Sequence, residues 1–124
     1  MQPNIKEMFH RLNQEHFDNE IPNIPVVWNT RMTTTAGRCH FKRTTFPWEV
    51  KGKRVARLKP TKIDLSVQLF SLNGYDIEKI ERVLIHEMVH AFLIHKHNEK
   101  GHTRHFQGMM TKITGENINH RCHS

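Results

Sequence analysis

Val83-Leu84-Ile85-His86-Glu87-Met88-Val89-His90-Ala91-Phe92-Leu93 is the stretch around which the rest of the chain can be arranged. It places H-E-x-x-H inside an apolar, helix-favouring run. A helix turns once every 3.6 residues or so, so His86 and His90 share one face, a single turn apart. Two imidazoles in that relation can grip one Zn²⁺ ion. Glu87 follows His86, about 100° round the helix, where its carboxylate can reach a water on the metal. The metal lowers the pKa of the water and the carboxylate takes its proton. The bland alternative is an amphipathic helix with two surface histidines. The flanks argue against it: Ile80, Val83, Leu84, Ile85, Met88, Val89, Ala91, Phe92, Leu93 and Ile94 are apolar nearly all the way round, as in a buried helix. Buried His and Glu side chains need partners for their polar atoms, and a metal ion is a good one.

The chain has 124 residues, enough for one domain with a modest core, taken here as residues 1–124. Lys and Arg outnumber Asp and Glu by 19 to 12, a formal charge of +7, and the pI is about 9.8. That balance favours an acidic partner, nucleic acid being the commonest, although a basic surface without a dedicated ligand has the same charge. Cys39 and Cys122 are the only cysteines. Two thiols so far apart make neither a disulfide framework nor a Cys-only zinc knuckle, which points to an intracellular, reducing compartment. No apolar run approaches the roughly 20 residues that span a bilayer, and Met1-Gln2-Pro3-Asn4 does not resemble a signal peptide. The eleven histidines are mostly expected at the surface.

Upstream of the central helix, residues 4–18 read as a first helix, capped by Asn4. Ile5, Met8, Phe9, Leu12 and His16 define its face, and Asn19, Pro22 and Pro25 end it. Val26-Val27-Trp28 is β-like, and Arg31 to Thr35 is turn-like. Ala36 to Lys42 starts a second strand, in which Gly37 suggests a bulge or a close backbone approach. Phe46-Pro47-Trp48 and Lys51-Gly52-Lys53 read as a hairpin connection. Val55 to Leu58 is a third strand, which Pro60 interrupts; Ile63 to Ser66 continues it or adds an edge piece. Asn73-Gly74 marks a turn, and Asp76 caps the long helix, which runs to about His97. A polar break follows. Gly101 to Phe106 then opens a last helix with Phe106, Met109, Met110 and Ile113 inward, closed by Thr114-Gly115.

The strand region carries much of the positive charge. Arg38, Lys42, Arg43, Trp48, Lys53, Arg54 and Arg57 are candidate nucleic-acid contacts, since basic residues interleaved with aromatics can follow a phosphate backbone and stack on bases. The competing reading is a solvated edge strand protected by its charges, and the two weigh about equally.

A catalytic zinc has three protein ligands and an open position. In the pattern H-E-x-x-H-x-x-G-x-x-H a Gly would stand at position 93 and a His at 96; this chain has Leu93 and Lys96. Glu99 or Glu116 could serve as a carboxylate ligand. His102 is the best candidate, because the break before it and Gly101 let the chain turn back toward the metal. His105, nearly one turn on, is the fallback. His97 stands two turns from His90, too distant to share its ion, and His95 is expected at the surface.

His86-Glu87-Met88-Val89-His90-Ala91, followed by Gly101-His102 and Phe106, resembles the SprT-like zinc metalloprotease domain. Phe17 with Ile24 to Trp28, Met32-Thr33 to Thr35-Ala36-Gly37-x-Cys39, Ile63-Asp64-Leu65-Ser66, and Thr114-Gly115 with Asn117-Ile118 match it too. The likeness covers nearly the whole chain, in order. It implies a small α+β, zincin-like domain: an N-terminal helix, a short, mostly antiparallel sheet, the HExxH helix and a C-terminal helix. It implies one catalytic Zn²⁺ on His86, His90 and His102, with Glu87 as the catalytic glutamate. Thr103 departs from the small residue common after Gly-His. Some members add a second zinc-binding subdomain that contacts single-stranded DNA; His120-Arg121-Cys122-His123-Ser124 is too little to make one.

The function expected is a zinc endopeptidase acting on proteins bound or crosslinked to DNA, in DNA–protein crosslink repair. Its expected setting is a monomer with a DNA partner, single-stranded DNA included, no membrane, and the nucleus if the source is eukaryotic. The alternative is a DNA-binding adaptor with a structural or idle zinc, in which His105 would be the fourth ligand. A zinc hydrolase acting on something other than peptide is a third, weaker reading.

Overall fold

Side-chain caps fix most of the helix boundaries in the computed structural model, which describes the backbone of residues 2–50 and 53–115 and the side chains of residues 2–44 and 56–115. Helix α1, Ile5–Phe17, starts where the Asn4 side chain accepts a hydrogen bond from the Glu7 amide at 3.1 Å. It buries Ile5, Met8, Phe9, Leu12, Asn13 and Phe17. The face therefore closes on Phe17, which meets the Phe92 ring at 5.6 Å, and not on His16, which is exposed. The ring gains more from burial than an imidazole would. Asn13 is buried without penalty because its amide exchanges two hydrogen bonds with the Ile21 backbone, at 3.0 and 3.2 Å.

Three strands follow: β1 (Val26–Asn29), β2 (Gly37–Val50) and β3 (Lys53–Ser66), in the spatial order β1-β3-β2. The long β2–β3 ladder is antiparallel, and the short β1 runs parallel to β3, so the sheet is mixed. Pro60 does not break β3. His40 pairs with Lys62 and Phe41 with Pro60, leaving Thr61 as the extra residue of a bulge. A bulge accommodates a residue with no N–H to give to the ladder. Phe46-Pro47-Trp48, expected in the hairpin connection, lies within β2, whose register shifts between Thr45 and Glu49. Residues 51 and 52 lie outside the described residues, as do Glu116, Asn117-Ile118 and the 120–124 segment.

A short helix that the sequence did not announce, α2 (Val67–Ser71), turns the chain away from the sheet. Its cap, Ser66, is fully buried; its hydroxyl donates to the Met32 carbonyl at 2.8 Å and accepts from the Leu69 amide at 3.1 Å. Helix α3, Ile77–His97, begins where Asp76 accepts from the amides of Glu78 and Lys79. It ends at Asn98 in the left-handed conformation, φ 54°. The Asn98 side chain then clasps β3, accepting from the Leu58 amide at 2.6 Å and donating to the Ala56 carbonyl at 3.0 Å. Helix α4, Arg104–Thr114, is capped by Thr103 and closed by Gly115 at φ 73°. Ile80, Leu84, Met88 and Ala91 of α3 share one core with Ile63 and Leu65 of β3, Phe9 and Leu12 of α1, and Phe106 and Met110 of α4. The central helix packs against β2 and β3 and against both α1 and α4, while α1 also touches β1.

Candidate metal centre

Burial of α3 carries His86 and His90 inside with it; both are buried, and their rings lie 5.0 Å apart. The third imidazole comes from the far side of the α3–α4 turn. Asn98 and Gly101 both adopt positive φ, 54° and 87°, and two such residues reverse the chain within a few steps. His102 then sits 5.1 Å from the His86 ring and 5.0 Å from the His90 ring. One nitrogen from each of His86, His90 and His102 lies within 4.8 Å of the others. Small ring rotations would bring all three onto one ion with bonds of about 2 Å.

Phe106 backs the cluster. Its fully buried ring stacks on His90 at 4.4 Å and lies 4.9 Å from both His86 and His102. Thr103 explains its own presence. Its hydroxyl accepts from the Phe106 amide at 3.2 Å and donates to the Glu99 carboxylate. It therefore fixes the start of α4, and with it the residue just before, His102. The same hydrogen bond from Thr103 is the main reason that the Glu99 carboxyl is held below its usual range.

Glu87 is 1 % exposed, with Oε2 4.0 Å from His86 Nε2. Burial raises its pKa well above the usual carboxylate value, against the opposing pull of a hydrogen bond from the Cys39 amide and the charge of Arg38. Its Oε1 is buried without a hydrogen-bond partner among the described residues. An acceptor left so in a protein interior is costly, and here it lies beside three converging imidazoles. The donor set fits Zn²⁺: three neutral nitrogens, with a carboxylate next to them that is not needed as a ligand. Strand β2 reaches Glu87 through Gly37, where a Cβ would stand 2.8 Å from Val83 Cγ1 and 3.1 Å from Glu87 Cγ. The close approach suggested by that glycine is thus onto α3. The Cys39 thiol, which burial first and Glu87 second push to a higher pKa, stays neutral beside it.

The other candidate ligands lie elsewhere. His105 Nδ1 is 3.5 Å from Glu99 Oε2, and the His105 ring meets His97 at 4.7 Å. His95 is half-buried, and burial is the first reason that its imidazole is held below its usual pKa.

The basic candidates do not form one track. Arg38, Lys42, Arg43 and Arg57 are all exposed. Lys42 and Arg43 are consecutive on β2 and so point to opposite faces. The Arg57 guanidinium donates to the His95 carbonyl at 2.9 Å, at the end of α3. The side chains of Trp48, Lys53 and Arg54 lie outside the described residues. No local pattern flagged one further polar group: Asp64, 2 % exposed, which meets His40 Nε2 at 2.7 Å and Asn29 Nδ2 at 3.1 Å. It ties the three strands together, opposite Arg38 in the β2–β3 ladder. No helix among the described residues is long and apolar enough to cross a membrane.

Comparison with known proteins agrees with this architecture. A family model described as the SprT-like family matches residues 5–123. The chain is 31% identical over 122 residues to the DNA-dependent metalloprotease SPRTN of Homo sapiens, covering 94% of this chain and 22% of that protein. It is 28% identical over 123 residues to the protein of the same name from Xenopus tropicalis, covering 94% of this chain and 24% of that one. The chain therefore spans less than a quarter of the length of these relatives.

Proposed function

The chain belongs to the SprT-like family, and from that premise we propose that it is a zinc-dependent endopeptidase whose substrates are proteins bound or crosslinked to DNA. The observation that carries the reading is the cluster of His86, His90 and His102, their ligand atoms within 4.8 Å of one another, with the orphaned Glu87 carboxylate oxygen alongside. His86, His90 and His102 are its metal ligands and Glu87 its catalytic residue. A Zn²⁺ ion held there supplies Lewis acidity, activating a water and polarising the scissile carbonyl.

The chain's own residues do the rest. Glu87 takes the proton of the attacking water and later delivers it to the leaving amine. Burial raises its pKa, and a carboxylate with more affinity for a proton is the better base toward the water. Phe106 and Thr103 keep the imidazoles in place. A substrate segment lies extended along β2, an edge strand of the sheet, and pairs with it through main-chain hydrogen bonds. The name of the SPRTN relatives, DNA-dependent metalloprotease, supports a DNA partner, as does the +7 charge. Single-stranded DNA is the form proposed, the nucleus of a eukaryote the setting, and one chain the functional unit, repairing DNA–protein crosslinks.

The test is incubation with a DNA-bound protein, with and without single-stranded DNA and with and without a chelator. Cleavage that needs both metal and DNA is expected. Tight, salt-sensitive DNA binding with no cleavage under any condition would instead leave an adaptor with an idle metal site.

A further inference from the structure

We infer that the cavity between β2 and the second half of α3 is a side-chain pocket that makes this chain favour a large apolar residue next to the bond it cuts. The inference rests on the endopeptidase reading above and names the part of the substrate that the site selects.

The cavity has a volume of about 310 Å³ and is walled by Cys39 and Phe41 of β2, Glu87, His90 and Ile94 of α3, and Lys100 of the following turn. Its position is the first argument. It shares two walls with the reaction centre, His90 and Glu87, so a side chain within it belongs to a residue beside the scissile bond. The cavities of about 260, 280 and 540 Å³ elsewhere on the protein touch none of His86, Glu87, His90 and His102.

Chemistry is the second argument. Beyond the carboxylate, the imidazole and Lys100, the side chains of the walls are a phenyl ring, an isoleucine and a neutral thiol, and none of these three solvates a charged guest. Phe41 is 41 % exposed, an accessible aromatic surface beside the site. Lys100 stands at the mouth, its Nζ 5.8 Å from the Phe41 ring centroid, where its charge repels basic side chains. Ligand pockets begin at about 300 Å³, so there is room for one bulky side chain.

Strand geometry is the third. Cys39 and Phe41 are two residues apart on β2 and both point toward α3, as alternate strand residues must. A substrate strand paired alongside β2 likewise turns every second side chain toward α3, and one of them meets this cavity.

The experiment uses the full chain loaded with Zn²⁺, with single-stranded DNA present. Its substrates are peptides that differ only at the residues flanking the cleaved bond, with Ala, Leu, Phe, Glu or Lys there. At one flanking position, kcat/KM for Leu and Phe should exceed that for Ala by on the order of tenfold to a hundredfold, the range that filling an apolar pocket gives, and Lys should be the poorest. In Phe41→Ala the ratio of Leu to Ala should fall at least about fivefold, and in Phe41→Trp, which narrows the cavity, the ratio of Phe to Leu should fall. Zinc content and circular dichroism verify that each variant is folded and loaded. Cleavage indifferent to both flanking residues, a preference for Glu, or a preference unchanged in both variants would overturn the pocket while leaving the endopeptidase standing. No cleavage of any peptide or of a DNA-bound protein by the wild type would overturn both.

Discussion

Gly37 of β2 lies against Glu87 of α3 so closely that a Cβ on it would stand 3.1 Å from Glu87 Cγ and 3.2 Å from Oε2. A methyl group there must also displace Val83 Cγ1, 2.8 Å away. Overpacking of this kind costs about 1–3 kcal/mol. Gly37→Ala should lower stability by that amount in urea denaturation and reduce cleavage at least about tenfold, because a shift of an ångström at a catalytic group is felt strongly. Zinc content, set by three imidazoles on α3 and the turn that follows it, should hold. Wild-type activity in Gly37→Ala would mean that the contact between strand and glutamate does not position the base.

Glu87→Gln keeps the shape of the side chain and removes its ability to carry a proton. Cleavage should fall by about 10²–10⁴-fold, the usual contribution of a general base, with the zinc stoichiometry intact as measured by atomic absorption.

The same substitution bears on stability. Burial raises the Glu87 pKa in the fold, so between the ordinary glutamate value of about 4.3 and the higher folded value the native state binds more protons than the unfolded one. Stability must then fall as pH rises through that window. The metal-free Glu87→Gln protein should lack this slope and match or exceed the metal-free wild type in Tm at pH 7. The difference should close near pH 4. Parallel Tm profiles for the two proteins would contradict the assignment.

His102→Ala should lose bound zinc and cleavage together, whereas His105→Ala, whose ring meets His97 and Glu99 instead, should retain zinc within about twofold. That bound corresponds to less than roughly 0.5 kcal/mol of binding free energy. Chelation of the wild type should lower Tm, since an ion that binds only the folded state stabilises it by mass action.

Asn98 does two jobs, ending α3 at φ 54° and joining Ala56 and Leu58 of β3. Asn98→Ala removes both hydrogen bonds, each worth about 1 kcal/mol net, and puts a residue with a β-carbon and no polar group into the left-handed region. A loss of about 2–3 kcal/mol in urea denaturation follows from these terms, along with weaker zinc binding, because the turn it begins delivers His102.

Much of this was legible in the sequence because the determinants are local. Asn4, Asp76 and Gly115 act within a turn of their own helices, and the His86–His90 spacing is a property of any helix. His102 was readable because Gly101 advertises a reversal. The sheet was harder, since a strand is completed by its partner. Nothing in Phe46-Pro47-Trp48 says that β3 will pair with it, and Pro60 breaks a lone strand yet sits in a bulge once β2 is alongside. Likewise, His16 and Phe17 both fit the period of α1, and only Phe92 on another helix chooses between them. The two contacts that position Glu87, from Gly37 and from the Cys39 amide, cross about 50 residues of chain, a separation that no local pattern encodes. Charge was the least informative: composition counts Arg57 with Arg38, while the fold turns one to a helix end and leaves the other beside Asp64.

The sheet order leaves β2 at an edge, and an edge strand offers main-chain groups that every polypeptide can answer. A guest recognised in this way must be stretched out, and away from the one side chain beside the cut bond its composition is free. An intact globular domain has no such segment to lend, so it must first be pried open or caught with a frayed tail. Tolerance of many victims and sparing of well-folded bystanders would then be two faces of one architectural fact.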